Sequence, residues 1–287
     1  MNTIIRKTIL APGVKDLLVE APRIARKRRA GQFIMLRVRP QGERIPLTIA
    51  DADPEQGWIR LIFQEVGRST VELGRLEEGD SILDLAGPLG RPTHIERRGT
   101  VVCVGGGIGT APVHPIAKAM KEAGNRVISI IGARTAELLI LEAEMAAASD
   151  RLIVCTDDGS KGRPGFVTDA IAELVAAGEE IHELVAIGPV VMMRAVSELT
   201  RAHGIPTVVS LNATMVDGTG MCGGCRVTVD HRSRFVCVDG PEFDGHAVDF
   251  QELMQRQRAY TDQERQAMAA DHVCQIGREA VQEGSRP

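Results

Sequence analysis

The hydrophobic pattern changes character once along the chain. Over roughly the first 95 residues, apolar positions come in short, partly alternating runs: Gln32 to Val38, Arg44 to Ala50, Trp58 to Val66 and Ser81 to Ala86. Clusters at Pro40-Gln41-Gly42, Pro54 to Gly57 and Gly87-Pro88-Leu89-Gly90 separate them. Alternation puts every second side chain on one face of a strand, and Gly and Pro end strands, so the pattern predicts an antiparallel barrel or sandwich. One short helix fits inside it, near Ser69 to Leu76.

From Thr100 the period switches. Compact apolar runs at Val101 to Val104, Val127 to Ile131, Leu152 to Thr156 and Leu184 to Ile187 alternate with helical stretches. Those helices run through Ala117-Lys118-Ala119-Met120, near Leu138 to Ala148, near Thr168 to Ala177, and from Val190 to Ala202. Strands alternating with helices imply a parallel sheet in an α/β domain. After Val209-Ser210-Leu211 the pattern dissolves. Residues 212–249, rich in Gly, Asp and Cys, are expected to form a compact loop structure held by something other than a hydrophobic core. The chain is helical again from Phe250, and Thr261-Asp262-Gln263-Glu264 has the form of a capping box opening a second short helix. The pattern thus divides the chain into a barrel (1–97), an α/β domain (98–210), a cysteine-bearing segment (211–249) and a helical tail (250–287).

Composition narrows the function classes. A length of 287 residues suits two domains and an appendage. Aromatics make up only 3%, which argues against an aromatic sugar groove or a base-stacking surface. A net charge of −4 gives no basic face for nucleic acid. No long apolar stretch follows Met1 to Lys7 and no run of about 18 apolar residues occurs, so neither a secretory leader nor membrane insertion is expected. A cytoplasmic location with reduced thiols is the resulting expectation, and clustered cysteines then point to metal or redox chemistry before disulfides.

Gly105-Gly106-Gly107-Ile108-Gly109-Thr110 lies between a buried strand and a helix that opens with Ala111-Pro112. Glycines there admit a phosphate close to the backbone, and the helix start supplies unpaired N–H groups, so the turn is a candidate pyrophosphate site. The second strand ends in Gly132-Ala133-Arg134 without a carboxylate. Arg134 could accept a 2′-phosphate or simply be solvated, which leaves NAD and NADP open. In the barrel, Arg44-Ile45-Pro46-Leu47-Thr48 offers a guanidinium fork and a hydroxyl, and Gly67-Arg68-Ser69-Thr70 precedes the only helix.

Cys222-Gly223-Gly224-Cys225 is followed by Cys237. Three readings fit: a zinc knuckle completed by His231, a C-x-x-C redox site, and an iron–sulfur loop. The plant-type spacing C-x₄-C-x₂-C…C puts its first ligand at Asp217, a carboxylate able to bind iron. Spacing favours the iron–sulfur reading. Cys103, Cys155 and Cys274 stand apart in the sequence, the first two in strands as small buried hydrophobes.

These motifs, with Thr156-Asp157-Asp158-Gly159-Ser160, Gly188-Pro189-Val190-Val191-Met192-Met193 and Met215 to Cys225, occur in one order. Together they resemble the small (alpha) subunits of NADH-dependent reduced ferredoxin:NADP oxidoreductase, a family also described as sulfide dehydrogenase beta subunits. Electron-transfer subunits of dihydroorotate dehydrogenase are more distantly similar and carry four cysteines where this chain has Asp217. The resemblance covers nearly the whole chain. It implies a ferredoxin-reductase-like fold, with an antiparallel FAD-binding barrel, a parallel-sheet NAD(P)-binding domain and a C-terminal 2Fe–2S segment. It implies FAD near Arg44, Pro46, Leu47, Thr48, Gly67, Arg68, Ser69 and Thr70. It implies NAD(H) or NADP(H) near Gly105, Gly106, Gly107, Gly109, Thr110, Ala111, Pro112, Arg134, Asp157, Asp158, Gly188, Pro189 and Met192. Asp217, Cys222, Cys225 and Cys237 would hold the cluster. A larger partner with a second FAD and 4Fe–4S clusters is implied, with electron bifurcation linking NADH, NADPH and ferredoxin. Flavin–nicotinamide hydride transfer requires no protein acid or base, so no catalytic residue is expected. Two alternatives stand beside this: a subunit of dihydroorotate dehydrogenase or of a sulfide or polysulfide reductase, and a non-catalytic zinc-containing relay or regulatory module.

Overall fold

The computed structural model describes residues 2–269. Its first unit comprises β1 (Ile4–Ala11), β2 (Val14–Glu20), α1 (Pro22–Ala25), β3 (Phe33–Arg37), β4 (Ile45–Asp53), β5 (Trp58–Gln64), α2 (Arg68–Gly74) and β6 (Asp84–Leu89). The strands pair antiparallel in the order β1-β2-β5-β4-β3-β6. The Ile4 amide donates to the Asp80 carbonyl (2.8 Å) and the Ile82 amide to the Asn2 carbonyl (3.0 Å). The start of β1 therefore meets the segment before β6, and the sheet curls into a barrel. Its interior is apolar, with Leu17, Ile34, Leu36, Ile59, Leu61 and Phe63 buried. Cross-strand pairs such as Leu17↔Leu61 and Val19↔Ile59 fix the register, because a one-residue slip would turn every inward side chain outward.

The second unit runs β7 (Thr100–Gly106), a 3-10 turn (Gly107–Gly109), α3 (Thr110–Glu122), β8 (Arg126–Ala133), α4 (Glu142–Ala147), β9 (Arg151–Thr156), β10 (Arg163–Pro164), α5 (Val167–Ala176), β11 (Glu183–Ile187), α6 (Val190–Ala202) and β12 (Thr207–Ser210). The strand order β10-β9-β8-β7-β11-β12 is parallel throughout. Every residue of β7 is buried, as a central strand covered on both faces requires. From β7 the chain first winds outward to β8 and β9, then returns to β11 on the other side. That reversal makes a crevice at the carboxyl ends of β7 and β11, the place where such sheets bind ligands.

The remaining elements are β13 (Arg226–Val229), β14 (Arg232–Phe235), α7 (Val236–Asp239), β15 (Glu242–Asp244) and α8 (Phe250–Arg258). Here the structure corrects two expectations. The segment 212–249 does have a hydrophobic core: Met215, Val227, Val236 and Val248 belong to the same buried cluster as Ile128, Ile171 and Met193. Its apolar residues share that cluster with distant elements, so no local periodicity announces them. The segment also re-enters the large sheet, with β15 pairing antiparallel to β12 from Val208↔Asp244 to Ser210↔Glu242. The capping box does not form. Residues 261–269 are helical, but the Thr261 hydroxyl donates to the Arg258 carbonyl (3.1 Å) and the Glu264 amide bonds to the Tyr260 carbonyl (2.9 Å). Cys274 lies outside the described residues.

The two units are stitched by Arg60 on β5. Its guanidinium bonds both Asp16 oxygens on β2 (2.9–3.1 Å) and reaches Glu144 on α4 at 2.8 Å. Among the described residues no helix is long and apolar enough to cross a membrane.

Candidate functional site

A cavity of about 1010 Å³ opens where barrel, parallel sheet and cysteine segment meet. The barrel contributes Pro46, Leu47 and Thr48 from β4 and Phe63 and Gln64 from β5, with Thr70 at its edge. The sheet contributes Gly106, Gly107, Gly109, Ala111 and Pro112, then Arg134 and Asp157, then Gly188, Pro189 and Met192. The cysteine segment adds Asn212, Ala213, Met215 and Pro241. Three separately predicted regions thus share one space.

The glycines of the turn serve different ends. A Cβ on Gly105 would sit 2.7 Å from the Thr110 Cα, one on Gly106 would strike the Met192 sulfur, and one on Gly109 would strike the Ile187 carbonyl. These three glycines let β7, the start of α3 and β11 close up at the switch point. Gly107 differs: its φ is +54°, a region that favours glycine, and no protein atom would meet its Cβ. Its bare backbone faces the cavity beside the start of the 13-residue α3, whose unpaired amides and dipole suit an anion.

Several predicted residues stand outside the lining. Gly105 and Thr110 lie beneath the turn, with Thr110 buried. Arg44 is exposed just before β4. Arg68 is held to Glu72 at 3.3 Å, and the Ser69 hydroxyl donates to Glu43 at 3.3 Å. Thr70 does reach the cavity, but its hydroxyl accepts from the Gly67 amide (3.0 Å) and donates to the Gly67 carbonyl (2.9 Å), so it closes the α2 turn. Asp158 is a turn residue whose carboxylate accepts from the Ser160 hydroxyl (2.6 Å) and amide (3.0 Å), which hold it below the usual carboxylate range. Asp157 and Arg134 remain exposed at the cavity.

Sequence reasoning missed the aromatic lining. Phe33, Phe63 and Phe166 line the cavity, three of the chain's six Phe. Phe33 and Phe63 stand in predicted strands, where a core role hides a ligand role. Phe166 is 62% exposed at the start of α5, and that placement carries no sequence signal.

The cysteine loop wraps on itself. Asp217 accepts from the Thr219 amide and the Cys222 amide, each at 2.7 Å, and these bonds hold its carboxyl below the usual range. Gly218, Gly220 and Gly223 take φ of +74°, +86° and +66°. A Cβ on Gly218 would come within 2.5 Å of Met35 in the barrel, so the loop sits tight against β3. The Cys225 and Cys237 sulfurs are 3.3 Å apart, and the Gly224 amide donates to the Cys222 sulfur at 3.4 Å. Cys222 itself is exposed. Burial, with Cys225 beside it, pushes the Cys237 thiol up to about 12, so a metal must displace its proton.

Among the described residues no three His, Cys, Asp or Glu side chains already converge as a metal cage. The donor chemistry nevertheless fits an iron–sulfur cluster. Two thiolates on one tetrahedral metal stand about 3.8 Å apart, given metal–sulfur bonds of about 2.3 Å, close to the Cys225–Cys237 spacing. The zinc knuckle with His231 does not fit. Asp230 and His231, at φ of +50° and +56°, form the turn between β13 and β14, whereas Cys225 and Cys237 flank the open end of that hairpin. Five extended residues separate the ends by about 16 Å.

Comparison with known proteins agrees with this geometry. Residues 212–249 match the iron–sulfur cluster binding domain of dihydroorotate dehydrogenase B, and residues 103–198 match the oxidoreductase NAD-binding domain. A chain from the NADH-dependent reduced ferredoxin-NADP oxidoreductase structure, described in connection with flavin-based electron bifurcation, is 46% identical. It superposes with a TM-score of 0.89, covering 94% of this chain and 97% of that one. An Amycolatopsis cytochrome P450 reductase, 25% identical, superposes at 0.60 over 70% of this chain and 65% of its own. Fold and site together define a ferredoxin-reductase-type oxidoreductase that uses FAD, NAD(H) and an iron–sulfur cluster. A dihydroorotate dehydrogenase B electron-transfer subunit homolog from Thermotoga maritima is 48% identical over 92% of this chain and 93% of its own. The corresponding subunit from Geobacillus thermodenitrificans is 33% identical over 84% and 95%. The chain belongs to the family of dihydroorotate dehydrogenase B electron-transfer subunits.

Proposed function

We propose that this chain is the small subunit of an electron-bifurcating NADH-dependent ferredoxin:NADP oxidoreductase. It would pass electrons to a larger, cytoplasmic partner that carries a second flavin and 4Fe–4S clusters. The observation that carries this reading is the single cavity reaching from the Gly107 turn, past β4, to Asn212 and Met215 of the cysteine segment. Residues 1–97 would hold FAD, 98–210 NAD(H) and 211–249 the cluster, and the tail 250–287 would contact the partner.

When bound, FAD and the cluster supply the chemistry, exchange of a hydride with NAD(H) and its division into single electrons. The chain's own residues bind and orient. Gly107 and the first amides of α3 receive the cofactor diphosphate, with Gly188 and Pro189 closing the other wall. Pro46, Leu47 and Thr48 form the flavin-facing strand, with the Thr48 hydroxyl as its polar group. Phe33 and Phe63 keep water from the inner end. Asp217, Cys222, Cys225 and Cys237 would hold the cluster. Met221, 88% exposed, and Val216, 58% exposed, stand beside Cys222 as an apolar face for the partner.

Transfer to a dihydroorotate dehydrogenase is the second reading, favoured by the relatives' names. Asp217 in place of a fourth cysteine favours the first. Purified holoprotein should show flavin absorbance bleached by NADH and the EPR signal of a reduced 2Fe–2S cluster. Failure of NADH to bleach the flavin would sink the proposal. Reduction of the native complex by dihydroorotate but not NADPH would decide for the second reading.

A further inference from the structure

We propose that Arg226 and Arg256 clamp the Gly223–Gly224 bridge between Cys222 and Cys225 and raise the redox potential of the cluster. The inference rests on the cluster assignment made above. The Arg256 Nη2 donates to the Gly224 carbonyl at 3.2 Å. The Arg226 guanidinium lies against Gly223, where a Cβ would be 3.4 Å from its Nη1. Neither forms an ion pair with a described residue.

Arg256 is held in place by its helix. Asp249 caps α8 by accepting from the Glu252 amide (2.9 Å). Glu252 accepts from the Thr228 amide of β13 (3.0 Å), and Gln257 donates to the Asn212 carbonyl (3.0 Å) and side chain (3.1 Å). Glu252 and Arg256 are four residues apart and share one helix face. Helix α8 is therefore bonded to both the start and the middle of the cysteine segment, and its Leu253 is buried. Reduction adds one negative charge to a group already ringed by anionic ligands. Cations beside it favour the reduced form, and net charge and exposure are the levers that set such potentials.

Redox titration of the holoprotein, followed by the EPR signal of the reduced cluster, tests this. R256Q keeps a donor for the Gly224 carbonyl but removes the charge; its midpoint should shift negative. R226Q should shift the same way and the double variant further, whereas R256K should stay near wild type. Unchanged midpoints in R256Q and R226Q at full iron content overturn the proposal. Iron loss from R256Q with an unshifted R226Q does so too, leaving Arg256 a purely structural brace. Absence of any 2Fe–2S signal from the wild-type protein would instead overturn the underlying cluster assignment.

Discussion

Among single residues, the Gly-rich turn separates two jobs that sequence merges. Gly109 admits no Cβ because the Ile187 carbonyl occupies the space, while Gly107 has space but a positive φ. G109A should lower stability by about 1–3 kcal/mol through overpacking at the switch point, read as a drop in melting temperature. G107A should cost only about 1–2 kcal/mol in stability but weaken NADH binding disproportionately, because its methyl would fill the proposed diphosphate cradle; calorimetric titration checks this. The turn itself was legible, since a strand, glycines and a helix leave few alternatives. Which glycine faces the ligand was not, because that depends on β11, some eighty residues downstream.

Between elements, one arginine couples the barrel to the parallel sheet. Asp16 is buried and Arg60 largely covered, and Glu144 completes the triad from α4. R60M would strand the Asp16 carboxylate without a partner, which typically costs about 3–5 kcal/mol. The urea midpoint should fall accordingly, and adding D16N should recover part of the loss. The alternation of strands and helices from Thr100 was readable because each strand is a compact apolar run. β1 and β2 were not, since β1 carries Arg6-Lys7-Thr8 at its centre and exposes Ile5 and Ile9. The same obscurity hid Arg256, whose role follows from where α8 packs rather than from any motif.

Across the whole molecule, Glu242 marks the point where all three regions touch. It stands on β15, accepts from the Thr93 hydroxyl at 2.5 Å, and lies under Gly31 of the barrel. Desolvation, with Glu183 nearby, pushes its carboxyl up from 4.5 to about 7. The folded state therefore holds this proton more tightly than the unfolded chain. Its stabilising contribution is complete below about pH 4.5 and is lost as pH rises through 7, on the order of 3 kcal/mol in all. E242Q should flatten that part of the stability–pH profile and be the more stable form at pH 8, as chemical denaturation at several pH values will read. The strand that carries Glu242 has another consequence. Because β15 supplies the outer neighbour of β12, the cluster-bearing stretch is woven into the dinucleotide lobe rather than appended to it. A gene cut after residue 210 would leave β12 with a raw, aggregation-prone border. Shuffling of this lobe between enzymes, in evolution or in the laboratory, must therefore carry the chain through Asp244, so that nucleotide binding and the iron–sulfur loop are inherited as one piece.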